Sequence, residues 1–74
     1  MSKSHTIGAS VRARRLELGL SQQAVADMAG KRQQTVCDLE NGHYSPLLDT
    51  LTAIAGALDI SVSALLLPYS PPKR

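Results

Sequence analysis

The chain is poor in the residues that announce most chemistries. Among its 74 residues it has one cysteine, no tryptophan, no phenylalanine and two tyrosines. A single thiol, Cys37, excludes an internal disulfide framework and a cysteine-built zinc site, and it fits a reducing, cytoplasmic compartment. No apolar run approaches the ~20 residues that a membrane-spanning helix requires, and no signal-peptide pattern is present. Only two histidines occur, His5 and His43. Neither falls into a nucleophile–base ordering, a metal-ligand spacing or a glycine-rich phosphate loop, so the sequence reads as no enzyme and implies no cofactor. The segment 36–67 also lacks any lysine or arginine.

What is present is a small aliphatic core and an uneven charge. With 43% apolar residues and almost no aromatics, the core must be built of Leu, Val, Ile and Ala, which suits short packed helices. A domain this small buries only ~60% of its unfolded surface, so few positions can be spared. Net charge is +2, but residues 1–35 hold Lys3, Arg12, Arg14, Arg15, Lys31 and Arg32 against Glu17 and Asp27. Residues 36–67 hold Asp38, Glu40, Asp49 and Asp59. A basic half able to meet a polyanion is therefore expected, with an acidic half turned away.

Five helices are expected, making an all-α compact bundle. Residues 1–5 have no apolar anchor and read as a mobile arm. The first helix starts near Thr6 as N-cap and runs to Leu18, with Gly19 as its stop. Ile7, Val11 and Leu18 form its core stripe, and Arg12, Arg14 and Arg15 point elsewhere. The second helix runs from Gln22 to Ala29, capped by Ser21 and ended by Gly30, with Leu20 packing inward. The third covers Gln33 to Asn41, with Gly42 beyond it and Arg32, a poor capping residue, ahead of it. Ser45-Pro46 turns the chain into a fourth helix, Leu48 to Leu58, whose buried face is Leu48, Leu51, Ile54, Ala55 and Leu58. Asp59 takes the corner that follows. Residues 60–66 suit a short helix capped by Ser61 or a strand, the helix being favoured. Pro68, Pro71 and Pro72 make residues 68–74 an extended basic tail.

The most specific signal is the stretch Ser21 to Gly42, SQQAVADMAGKRQQTVCDLENG. Ala26 is small where two helices must nearly touch, and Gly30 lies where the turn needs a positive φ. Val36 and Leu39, six and nine residues past that glycine, can pack back onto Val25 and Ala29. Such a pair of helices, with a polar, glutamine-led second member, is a helix-turn-helix.

The runs VRARRLELGLSQQ and AGKRQQTVCDLENG resemble the DNA-binding domains of lambdoid phage repressors and Cro, within the Xre-type family. The resemblance covers residues 6–67. It implies a lambda-repressor-like domain that binds double-stranded DNA as a homodimer, with two recognition helices ~34 Å apart on a two-fold-symmetric operator. A transcriptional repressor is the role implied, with an antitoxin holding a cognate toxin protein as the alternative.

By the same resemblance Gln33, Gln34, Thr35 and Asp38 are base-reading positions. Ser21, Gln22 and Asn41 match phosphate-facing positions, and Arg15 and Glu40 a largely buried ion pair; Lys31, Arg32 and His43 are read as phosphate contacts from their charge and their place beside the third helix. The chemistry agrees where it can be checked. A glutamine amide can pair bidentately with adenine, and a helix N-terminus with cations nearby attracts phosphate. Asp38 and Lys31 depart from the usual pattern. A carboxylate at Asp38 repels phosphate or accepts from cytosine N4. Dimer contacts are expected around Ile60 to Leu66, where apolar residues exceed the needs of one core.

Overall fold

The computed structural model describes residues 7–43 and 46–66. These form five helices in the order α1 (Ile7–Glu17), α2 (Gln22–Ala29), α3 (Gln33–Glu40), α4 (Leu48–Ala57) and α5 (Val62–Leu65). The short final element is helical, with the Ser61 hydroxyl accepting from the Ala64 N–H. The Thr6 cap, the arm 1–5, the Ser45-Pro46 turn at its serine, and the tail 68–74 lie outside the described residues.

One aliphatic cluster holds the helices together. Val11 of α1, Val25 and Ala26 of α2, Val36 and Leu39 of α3, Leu51, Ile54, Ala55, Ala57 and Leu58 at α4, and Leu65 of α5 are all buried. Ile7, Leu20, Ala29, Ile60 and Val62 pack against it. With fully buried aliphatic side chains each contributing ~1.5–3 kcal/mol, no aromatic residue is needed to close a domain of this size.

Two expected core residues stay out. Leu18 is 40% exposed and Leu48 is 71% exposed. α1 ends at Glu17, so Leu18 belongs to the turn. The chain then reverses at Gly19, and it is Leu20, on the far side of the reversal, that packs inward. Leu48 is the first residue of α4, a turn ahead of the packed stripe; the inner positions start at Thr50 and Leu51, both buried.

The same helix ending recurs four times. After α1, α2, α3 and α4 the chain takes a left-handed residue, at Gly19, Gly30, Gly42 and Asp59 respectively. The next residue then donates back into the helix: Leu20 to Arg15, Lys31 to Ala26, His43 to Asp38 and Ile60 to Ala55. This is the Schellman stop, which satisfies carbonyls that would otherwise be orphaned; at the first and fourth stops the following residue, Leu20 and Ile60, packs back onto the core. At the fourth stop Asp59 adopts φ 55°, and Arg14 reinforces it. The Arg14 Nε donates to the Leu58 carbonyl at 2.9 Å and Nη2 to the Asp59 carbonyl at 3.2 Å. Nη1 meets Glu17 at 2.8 Å.

Gly8 governs how closely α1 approaches α3. A Cβ at this position would fall on the Leu39 carbonyl oxygen, a backbone atom with little room to give. Among the described residues, no helix is long and apolar enough to cross a membrane.

Candidate nucleic-acid interface

The helix-turn-helix is positioned by a cap, a turn and a small residue. Ser21, extended at φ −82° and ψ 164°, accepts from the Ala24 N–H at 3.0 Å and starts α2, a cap of ~1 kcal/mol. Gly30 at φ 70° reverses the chain, a backbone conformation that costs other L-residues ~1–2 kcal/mol. Ala26, fully buried, lets α3 lie close across α2. Arg32 then precedes α3 in an extended conformation and makes no side-chain cap, as expected. The first turn of α3 therefore keeps its backbone donors clear of any side-chain cap, beside an exposed Arg32 and a half-buried Lys31.

Successive positions on α3 divide cleanly. Val36 and Leu39 face the core. At 100° per residue the opposite side is a line of Gln34, Cys37, Asp38 and Asn41, with Gln33 and Thr35 on its flanks. Gln34 and Asn41 are exposed and the others half-buried. Two bonds run along this line. Gln34 Nε2 donates to Asp38 Oδ1 at 2.8 Å, and Asn41 Nδ2 donates to Cys37 Sγ at 3.4 Å. His43 is exposed just past the end of α3.

Behind Gln33 lies a continuous polar chain. Gln33 Nε2 donates to Gln22 Oε1 at 2.7 Å, and Gln22 Nε2 donates to Glu40 Oε1 at 3.1 Å. Glu40 takes a two-pronged contact from Arg15, Nε to Oε2 at 2.7 Å and Nη2 to Oε1 at 2.9 Å. Arg15 Nη1 ends the chain on the Leu20 carbonyl at 2.9 Å. The Arg15 and Glu40 side chains are only 10% and 1% exposed. The hydrogen bond to Glu40 raises the Arg15 pKa above its ordinary value, outweighing the opposing effect of burial.

The chain has a fixed direction. A carboxylate only accepts, so Gln22 must turn its amino group to Glu40 and its carbonyl to Gln33. Gln33 must then give an N–H to Gln22, which leaves its carbonyl oxygen and its second N–H for the surface. Thus the pair expected at Arg15 and Glu40 is present, and it also sets the orientation of an amide at the rim of α3.

Several expectations change with this geometry. Gln22 bonds Glu40 on one side and Gln33 on the other, keeping one amide N–H beyond them, and the Ser21 hydroxyl accepts at its cap with its own O–H left to donate. Arg15 does not point away from the core; it is buried against Glu40, while Arg14 is folded onto the α4 corner. Both leave the basic face expected of residues 1–35, to which Arg12, Lys31 and Arg32 still belong among the described residues. The Gln34–Asp38 bond went unrecognised in the sequence, although the four-residue spacing of a Gln and an Asp on a helix carries that signal. Of the stretch expected to form a dimer surface, Leu65 is fully buried and Ile60 and Val62 pack on the core, leaving Leu66 at 50% exposure.

Comparison with known proteins agrees with this geometry. The helix-turn-helix family model matches residues 11–65. The immunity repressor of Bacillus phage phi105 is 42% identical over 60 residues, covering 81% of this chain. The chain spans 42% of that repressor's length, less than half. Among solved structures, the restriction-modification controller C.AhdI of Aeromonas hydrophila has a TM-score of 0.78 at 32% identity, over 80% of this chain and 89% of that one. The P22 c2 repressor, solved with a synthetic operator, has a TM-score of 0.77 at 32% identity, over 81% and 91%.

Proposed function

The chain belongs to the helix-turn-helix family, and from that membership we propose that it is a sequence-specific double-stranded-DNA-binding transcriptional regulator, acting as a repressor. The observation that carries this reading is the relay from Arg15 to Gln33, which presents an oriented amide at the rim of α3. An oriented carbonyl and N–H match the N6 and N7 edge of adenine in the major groove. Arg32, Lys31, Asn41 and His43 lie around α3 where phosphates would pass, and they position the domain without reading sequence. Two copies acting together place their α3 helices ~34 Å apart on a two-fold-symmetric site. The antitoxin alternative gains no support from the relatives.

Selection from a random duplex pool at ~0.15 M salt tests this directly. The parent should enrich a two-fold-symmetric site. Gln33→Ala should lose ~1–3 kcal/mol on that site and relax it at one position per half. Arg32→Ala should weaken all sequences alike and reduce the salt slope by about one. Identical behaviour of the two variants on every duplex would sink the division into reading and positioning residues.

A further inference from the structure

The bond between Gln34 and Asp38 gives the outward face of α3 a definite polarity. Gln34 Nε2 holds Asp38 Oδ1 at 2.8 Å, leaving Oδ2 with no partner among the described residues. The side chain is thereby fixed along the outer line of the helix, one turn from the oriented amide of Gln33. An ionised carboxylate is an acceptor only, so it can satisfy a base only at a donor.

Base-pair edges present few donors in the major groove. Guanine offers two acceptors, and thymine an acceptor and a methyl group. Adenine has its N6 donor between its own N7 and the thymine O4, two acceptors that a carboxylate would face at close range. Cytosine has its N4 donor between the guanine O6 and its own C5–H, which carries no lone pair, so a carboxylate there faces one neighbouring acceptor instead of two. A negative charge held against DNA disfavours every sequence that cannot answer it, so it discriminates by exclusion as well as by attraction.

We propose that Asp38 reads a cytosine in each half-site, its free oxygen accepting from the N4 amino group, and that Gln34 is the positioning residue that holds this carboxylate in place. The assignment rests on the DNA-reading function proposed above and names the base at one of its positions. Gln34 acts on that base through Asp38.

Selection with the parent, Asp38→Ala, Asp38→Asn and Gln33→Ala provides the first test. The parent should require cytosine at one symmetry-related position. Asp38→Ala should flatten the preference there and nowhere else, by roughly 10- to 100-fold. Asp38→Asn, nearly isosteric, should move it to adenine. Gln34→Leu should weaken the cytosine preference with no change in thermal melting, a result that a purely structural role would not give. The chemical test replaces that cytosine with pyrimidin-2-one, which lacks the 4-amino group. The parent should lose the same factor on this duplex, and Asp38→Ala should lose nothing, closing a thermodynamic cycle between side chain and amino group. An enriched site that responds to Gln33→Ala but is unchanged in Asp38→Ala overturns the cytosine assignment alone. Failure of the parent to enrich any site overturns the assignment together with the DNA-reading function.

Discussion

Glu40 illustrates how a single side chain can serve both stability and recognition. Its carboxylate, almost wholly buried, accepts from Arg15 twice and from Gln22 once. Such a pair is a modest net source of stability, because desolvating two charges offsets much of their attraction, but leaving one member unpaired costs ~3–5 kcal/mol. Glu40→Gln should therefore lower the urea midpoint sharply, and Arg15→Met/Glu40→Leu should recover most of the loss. The Arg15 pKa is raised, so its contribution is complete below the unfolded value and is lost only as pH rises through the still higher folded one. The stability curve should accordingly show no titration of this guanidinium at neutral pH. Because Glu40 also orients Gln22, a second loss should appear in DNA binding. Gln22→Ala should weaken binding to the preferred site by nearly as much as Gln33→Ala, and the double variant by little more than either alone.

At the scale of elements, α1 and α3 meet where Gly8 passes the Leu39 carbonyl. Gly8→Ala should force these helices apart and cost ~1–3 kcal/mol, or ~4–8 °C in melting temperature per kcal/mol for a domain of this length. Gly56→Ala is the control. It lies within α4 with nothing near its added Cβ, and should gain ~0.5–1 kcal/mol from helix propensity and lost unfolded-state freedom. The helices themselves were legible in the sequence because their stops are local: Gly19, Gly30 and Gly42 mark three reversals, and Ser21 and Ser61 mark two starts. Leu18 and Leu48 misled because apolar spacing locates a stripe without saying where along the helix a neighbour begins to cover it. The relay was half legible. Its ends follow from the family resemblance at Arg15, Glu40 and Gln33, but the bonds that Gln22 makes between them join residues 18 and 11 positions apart, which no local spacing marks.

Taken whole, the molecule buries one aliphatic cluster, while Leu16, Leu18, Met28, Leu47, Leu48 and Leu66 stay exposed among the described residues. Leu66, half exposed at the end of α5, is the outward remnant of the stretch expected to join two copies. Leu66→Lys should leave monomer stability within ~0.5 kcal/mol of the parent. If this edge joins the two copies on DNA, the variant should weaken binding to a full symmetric site while sparing a half-site duplex. Sedimentation and gel-shift titrations read the two effects separately. The two pairs at the reading surface also differ in how freely they can drift. Gln33 is tied through Gln22 and Glu40 to the centre of the fold, so any change of letter there must survive a disturbance of the core. Among the described residues the Asp38 side chain is held only by Gln34, one turn away on the same outward line of α3. If Gln33 and Asp38 read bases as proposed, new operators should therefore arise in descendants by exchanging residues 34 and 38 together, with the letter assigned to Gln33 inherited almost unaltered.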